Sequence, residues 1–485
     1  MSNSNRFAKV FPLFYRFINK PIAIILIIFF LCFYTLYTLT YLNVALGIIP
    51  LAYVLICYKI EKKILNQFLF GPLTLVSVFH FLGVGLGLGL YSIGAEGYVQ
   101  PEIAIIQLAF IIGYPFQILG YWIFFRKVRF NLSLPENTKQ RLRKSGFFLL
   151  GFAVIQTIVS IATGAWDRTG IDIPEGGESL GPAGVFTAFT LLSNLGYILF
   201  PLLLKYSSSQ IKFFLWIVLI LTLGLGGLTG SRGLVLFPII YIFFGLWTFT
   251  RIKSAKIKQY FILITIFAFI LIPFLNNYRS GESFLSKRGS DIGGKLEALS
   301  QSFSASPTSS NTDSLEITGA ALYGKMSDIN VYRKTPILIP HAGWDNWEAI
   351  LYVFIPKTIY PNKPPIFDGH AIAVSYRDSY SAGIATISFD ADLYRRFGWR
   401  GIIAGNLIFG LVYGFVISLF FNLYNRKPNT LHLLFVLLLF TFYVNTGTVL
   451  VTFWTWLYVF PKYLIALYVI YTLLNVVFKR RKLRA

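Results

Sequence analysis

The stretch Phe354-Ile-Pro-Lys-Thr-Ile-Tyr-Pro-Asn-Lys-Pro-Pro-Ile-Phe-Asp-Gly-His370, followed by Asp390-Ala-Asp-Leu-Tyr-Arg-Arg-Phe-Gly-Trp-Arg400, belongs to the only long polar segment of an otherwise lipid-like chain. That segment runs from Asn276 to Arg400, about 125 residues, far longer than an ordinary connection. Prolines fix backbone angles and glycines permit unusual ones, so charges set between them read as a rigid loop that holds polar groups in place. The chemistry of the protein is expected here.

Outward from that stretch the chain is apolar. Of its 485 residues 55% are hydrophobic and only 13% charged, outside the range of ordinary soluble domains. Apolar runs near the length of a bilayer crossing recur at 22–40, 43–58, 68–90, 103–125, 146–163, 183–204, 212–229, 234–250, 259–275, 401–421, 430–449 and 455–478. Lipid demands that each crossing pair its own backbone groups, which predicts helices. The reading is an all-α integral membrane protein of about twelve transmembrane helices. Residues 1–275 carry the first nine helices, 276–400 form one large extracytoplasmic loop with the active site, and 401–485 carry three more helices and a basic tail.

The charges orient this arrangement. With the N-terminus in the cytoplasm, the inner segments hold 27 of the 43 Lys and Arg residues but only Glu61 and Glu136 of the 20 acids. This is the positive-inside pattern, and it predicts both termini in the cytoplasm and the large loop outside. The net charge of +23 is thereby explained by topology and anionic lipid, which argues against nucleic acid as a partner. Residues 5–20 fit an interfacial amphipathic helix, and no small-residue cleavage site follows the first apolar run. Cys32 and Cys57 both lie in apolar runs and give neither a disulfide framework nor a metal pattern.

Three local features stand out. The run Gly83-Val-Gly-Leu-Gly-Leu-Gly89 has the small-xxx-small spacing that lets helices approach closely. The acidic loop 164–182 lacks the EF-hand spacing and reads as a solvated loop. Gly230-Ser-Arg-Gly233 is a tight outer turn between two apolar runs, with the next helix expected from about Leu234. Arg232 opposes the positive-inside bias there, beside glycines and a helix N-terminus, a natural seat for an anion. Its other reading is snorkelling to lipid headgroups. Trp344-Asp-Asn-Trp347 interleaves aromatic and polar groups, which suits either sugar stacking or the membrane interface.

At Phe354 to Gly398 the sequence resembles the Wzy-type family of O-antigen and oligosaccharide repeat-unit polymerases. The matching elements are Ile355-Pro356-Lys357, Tyr360-Pro361-x-Lys363-Pro364, Gly369, and Asp392-x-Tyr394-x-x-Phe397-Gly398-Trp399-x-Gly401. Lys357 stands where the family commonly has Arg, Tyr360 where it has Trp, and Asp392 where Glu is more frequent. The resemblance implies a GT-C-like membrane glycosyltransferase related to the O-antigen ligases. Such an enzyme would sit in the inner (cytoplasmic) membrane and polymerise undecaprenyl-diphosphate-linked oligosaccharide into O-antigen, capsule or exopolysaccharide. It also implies no cofactor and no metal, with a chain-length regulator protein and a flippase as partners.

That reaction releases a lipid diphosphate, so cations must face the developing charge, and arginine binds phosphate with two parallel donors. The cations expected in substrate binding are Arg232, Arg279, Lys363 and Arg377, then Arg396, for which Asp390 is a possible partner. The acceptor hydroxyl needs a base. Asp392, at the family's acidic position, and His370, in Asp368-Gly-His370, are the choices, with His341 and Glu348 behind them. Asp392 has the second reading of a partner for a neighbouring arginine. Two further functions stay open: a ligase that moves finished glycan, and a flippase or transporter of lipid-linked oligosaccharide. A transporter should carry ionisable groups within its spans; these spans are almost free of charge, which favours an outer site.

Overall fold

A computed structural model describes residues 39–65, 68, 70–94, 99–130, 132, 135–162, 190–228, 232–250, 294, 297, 316, 319–320, 322–352, 355, 359–360, 369–377, 387–442 and 447–482. Helices account for nearly all of these residues, and no strand occurs among them. In chain order they are α1 (Leu39–Lys62), α2 (Pro72–His80), α3 (Leu88–Gly94), α4 (Gln100–Phe125), α5 (Glu136–Ala162), α6 (Thr190–Tyr206), α7 (Ser209–Leu228) and α8 (Arg232–Thr250). The series continues with α9 (Ser327–Lys334), α10 (Gly369–Arg377), α11 (Phe389–Arg426), α12 (Thr430–Phe442), α13 (Val449–Trp454) and α14 (Phe460–Lys482). A π-helical stretch, Phe81–Gly87, joins α2 to α3, and another, Thr455–Val459, joins α13 to α14.

Seven of the resulting helices are long and apolar enough to cross a membrane, and three shorter apolar helices accompany them. The protein is therefore an α-helical membrane protein. The expected crossing at 259–275 and nearly all of that at 22–40 lie outside the described residues, as does the acidic loop 164–182. Many large apolar side chains on the helices remain exposed, among them Phe213, Phe214 and Ile220 on α7 and Ile465 and Leu473 on α14. In water such a surface would drive aggregation; in lipid it is the expected outer face.

The centre of the bundle is the pair α4 and α11. Small residues bring their backbones together: a Cβ built on Gly410 would lie 2.2 Å from the Gln117 carbonyl oxygen, and one on Gly414 2.5 Å from that of Tyr121. Around this pair, α1 packs on α2 and α4, while α6 packs on α5, α8 and α12. The glycine run makes the expected close approach in part: a Cβ on Gly85 would sit 2.5 Å from the Gly47 carbonyl oxygen of α1 and one on Gly87 2.8 Å from the Tyr323 amide nitrogen, whereas one on Gly89 would meet nothing within 4 Å.

The start of α2 has a clear local cause. Glu61, buried at the end of α1, accepts hydrogen bonds from the amides of Leu73 (3.0 Å) and Thr74 (2.7 Å). It also accepts from the hydroxyls of Thr74 (2.7 Å) and Tyr121 (2.6 Å). A carboxylate thus occupies the positive end of α2 and ties three helices together.

Candidate functional site

The run that carries the family resemblance forms a helical hairpin. α11 breaks at Gly398, whose backbone angles (φ 63°, ψ −153°) are accessible essentially to glycine alone. Residues 389–397 fold back along the helix that follows. Asp390 and Asn406 would be about 24 Å apart on a straight helix, yet Asn406 Nδ2 donates to Asp390 Oδ1 at 2.7 Å. The rings of Phe389 and Phe409 lie 5.1 Å apart for the same reason. Gly401 lets the two arms meet, because a Cβ there would sit 2.6 Å from the Leu393 carbonyl oxygen. Ser388 caps the first arm, its Oγ accepting from the Ala391 amide at 3.1 Å.

Asp392 locks the hairpin. It is fully buried, and Arg395 binds Oδ1 through Nε (2.8 Å) and Nη2 (2.7 Å) while Arg396 Nε reaches Oδ2 at 3.2 Å. The Val449 amide donates to the same Oδ2 at 2.8 Å, which fixes the start of α13. Both arginines pair with Asp392, as its second reading allowed, where Asp390 was a possible partner for one of them. Arg396 is itself enclosed, and its Nη1 donates to the carbonyls of Gly343 (3.2 Å) and Asp345 (2.8 Å). It holds the Trp344-Asp-Asn-Trp347 loop against the hairpin instead of facing a solvent-borne substrate.

That loop covers the turn. The amides of Ala342 and Gly343 donate to the carbonyls of Arg395 and Arg396, each at 3.0 Å. His341, exposed, sets its Nδ1 3.3 Å from the Arg395 carbonyl oxygen, and its ring lies over Gly398. Trp344 meets Trp347 (4.8 Å between centroids) and Phe397 (5.0 Å) while staying 68% exposed, so it offers one open aromatic face beside the turn. Tyr394 packs on Tyr332 of α9 at 4.6 Å. Glu348 opens a single turn, Glu348–Leu351, and is exposed.

A second polar group lies on the other side of the hairpin. Asp328 of α9 accepts from the Ser388 amide at 2.9 Å and from the Tyr323 hydroxyl. Lys325 lies in the field of both Asp328 and Asp390, and its charge also acts on His80 at the end of α2. Burial lowers the pKa of the Lys325 ammonium, against the pull of the two carboxylates. Burial likewise raises the pKa of the Asp328 carboxyl, opposed by the Ser388 and Tyr323 hydrogen bonds and by Lys325. The Tyr332 phenol is held well above its usual value, first by burial and then by the charges of Asp390 and Asp328.

The depth of this group corrects the sequence reading. Asn406, which holds Asp390, abuts Gly113, the middle of the 26-residue α4. The His80 ring packs at the same level, 4.9 Å from Phe110 and 5.2 Å from Tyr114. The Gln100 end of α4 is marked separately, by the Arg333–Glu102 ion pair at 2.8 Å. Charges expected to stay in an outer loop are thus folded halfway down the bundle. The spans are nearly charge-free in sequence, but the loop inserts ionisable groups between them.

The other expected residues distribute as follows. Arg232 is the first residue of α8, two positions earlier than the expected helix start, which puts it at the N-terminus itself; its side chain is outside what is described. His370 and Arg377 lie on α10, near the two ends, again without described side chains. α10 packs on α9, which brings both to the neighbourhood of the hairpin. Arg279 and Lys363 lie outside the described residues. Asp390, Asp328, Lys325, Tyr332, Asn406 and His80 were missed. Their signal was present only as polar residues in or beside apolar runs. Among the described residues no group of three or more His, Cys, Asp or Glu is placed to hold a metal ion. A surface cavity of about 420 Å³ between α6, α7 and α8, lined by Lys205, Lys212 and Trp216, holds none of these residues.

Comparison with protein-family models, with curated proteins and with solved structures finds no match to this chain.

Proposed function

We propose that this chain is a membrane glycosyltransferase of the Wzy type. It joins undecaprenyl-diphosphate-linked oligosaccharide repeat units into O-antigen, capsule or exopolysaccharide at the outer face of the cytoplasmic membrane. The supporting observation is the hairpin at Asp392–Gly401. Five residues of its second half have a physical task there: Asp392 clamps, Tyr394 packs on α9, Phe397 carries Trp344, Gly398 turns the chain and Gly401 admits the returning arm. The proposal includes twelve crossings with both termini in the cytoplasm, as the charge distribution suggests.

In the reaction, the growing glycan leaves its lipid diphosphate for a hydroxyl of the incoming repeat. Arg232, at the positive end of α8, is suited to hold the departing diphosphate, with Arg279, Lys363 and Arg377 as further cations. Trp344 offers its open face to a sugar ring.

The ionisable group at mid-depth favours a second reading, a transporter of lipid-linked oligosaccharide, because charges inside a membrane bundle commonly mark a translocation path. Deletion of the gene separates the two. The polymerase reading expects glycans of single repeat units with lipid-linked repeats still reaching the outer leaflet. Repeats trapped on the cytoplasmic leaflet would favour transport.

A further inference from the structure

Asp390 differs from every other acid in the hairpin region. One oxygen is fixed at 2.7 Å by Asn406, and the other has no hydrogen-bond partner among the described residues. Its residue is only half-buried, as are Lys325 and His80, so all three keep an open side in the middle of the bundle. Asp392 by contrast has both oxygens engaged and no exposure. A second orphan points to the same place. The Tyr332 hydroxyl is buried without a partner, in a residue 5% exposed, and it lies in the field of Asp390 and Asp328. A buried hydroxyl left without a hydrogen bond costs on the order of 1–3 kcal/mol, so a polar group that reaches it is stabilised there. A sugar hydroxyl has a donor for the free Asp390 oxygen and keeps an acceptor for a hydroxyl such as that of Tyr332.

We infer that Asp390 is the proton acceptor of glycosyl transfer, with Tyr332 and Asn406 orienting the acceptor hydroxyl and the carboxylate; this rests on the polymerase reading. The acceptor O–H bond breaks and its proton passes to the free oxygen of Asp390. The acceptor oxygen bonds to the anomeric carbon of the donor glycan. The bond from that carbon to the diphosphate oxygen breaks, and its electron pair leaves with the lipid diphosphate. Asp390 then returns its proton to water. Lys325 holds the charge balance, since it lies in the field of both Asp390 and Asp328. Burial, the Asn406 hydrogen bond from α11, Asp328 on α9 and Lys325 before it set the proton affinity of Asp390; Tyr332 in turn lies in the field of Asp390, Tyr323 bonds Asp328, and His80 on α2 feels Lys325.

The test uses the full chain in lipid vesicles with a chemically defined polyprenyl-diphosphate oligosaccharide as substrate. Elongation by the wild type should fall at acid pH. Asp390→Asn should lower the rate about 100-fold or more and lose that acid limb, with lipid-linked substrate still bound. Wild-type protein that elongates normally alongside an equally fast Asp390→Asn would overturn the inference and leave the polymerase reading intact. Wild-type protein that forms no polymer at any pH would overturn both. If Asp390→Asn does not fold, Asn406→Ala serves. Losing that donor should move the acid limb to higher pH, and an unmoved limb would overturn the assignment.

Discussion

The carboxylate of Asp392 accepts a hydrogen bond of 2.8 Å from the backbone amide of Val449, 57 residues later in the chain. The same side chain holds Arg395 and Arg396. One acid therefore fixes a hairpin, the helix after it and, through Arg396, the tryptophan loop. Asp392→Ala would leave the enclosed Arg396 guanidinium without its counter-charge. Breaking a buried pair from one side costs about 3–5 kcal/mol, so the variant should denature at clearly lower temperature in detergent. An Asp392→Ala protein of normal thermal stability that has lost activity would return this residue to the role of base.

Gly398 sits at φ 63° and ψ −153°, where a side chain adds backbone strain of order 1–3 kcal/mol. A Cβ there would meet the His341 ring at 3.4 Å, an ordinary contact. Gly398→Ala should therefore destabilise the protein, and removing the His341 ring in the double variant should not restore it. Rescue by His341→Ala would show that crowding, not backbone conformation, sets the cost.

Arg232 stands at the first position of α8. If it holds the diphosphate, Arg232→Lys keeps the charge but loses the paired donors, and Arg232→Ala loses both. Polymer length in membranes with equal amounts of protein should fall in the order wild type, Lys, Ala. Full-length polymer from Arg232→Ala would leave the arginine among lipid headgroups.

Much of the helical frame was legible from apolar run length, because lipid leaves the backbone few alternatives. The Asp392–Gly401 run was also legible as a unit. Its geometry was not: residues up to Arg400 read as the end of the large loop, with the next crossing from 401, whereas the chain is helical from Phe389 and reverses at Gly398, a conformation that no periodicity reveals. In the sequence Asp390 and Asp392 are both possible partners for Arg395 or Arg396, only two residues apart. The reversal at Gly398 sends the two acids to different tasks, one to Arg395 and Arg396, the other to Asn406. Lys325 and Asp328 count in the sequence only among the charges of the large outer loop, since composition shows that a segment is polar but not that it is inserted between helices.

The central claim is that this chain itself lengthens lipid-linked glycan. The direct measurement is the size of the product when purified protein in vesicles receives only a polyprenyl-diphosphate oligosaccharide of one repeat. The account expects a ladder of products at whole multiples of the repeat, with one lipid diphosphate released per joining event. A single unchanged species, from protein shown to be folded and inserted, would contradict it.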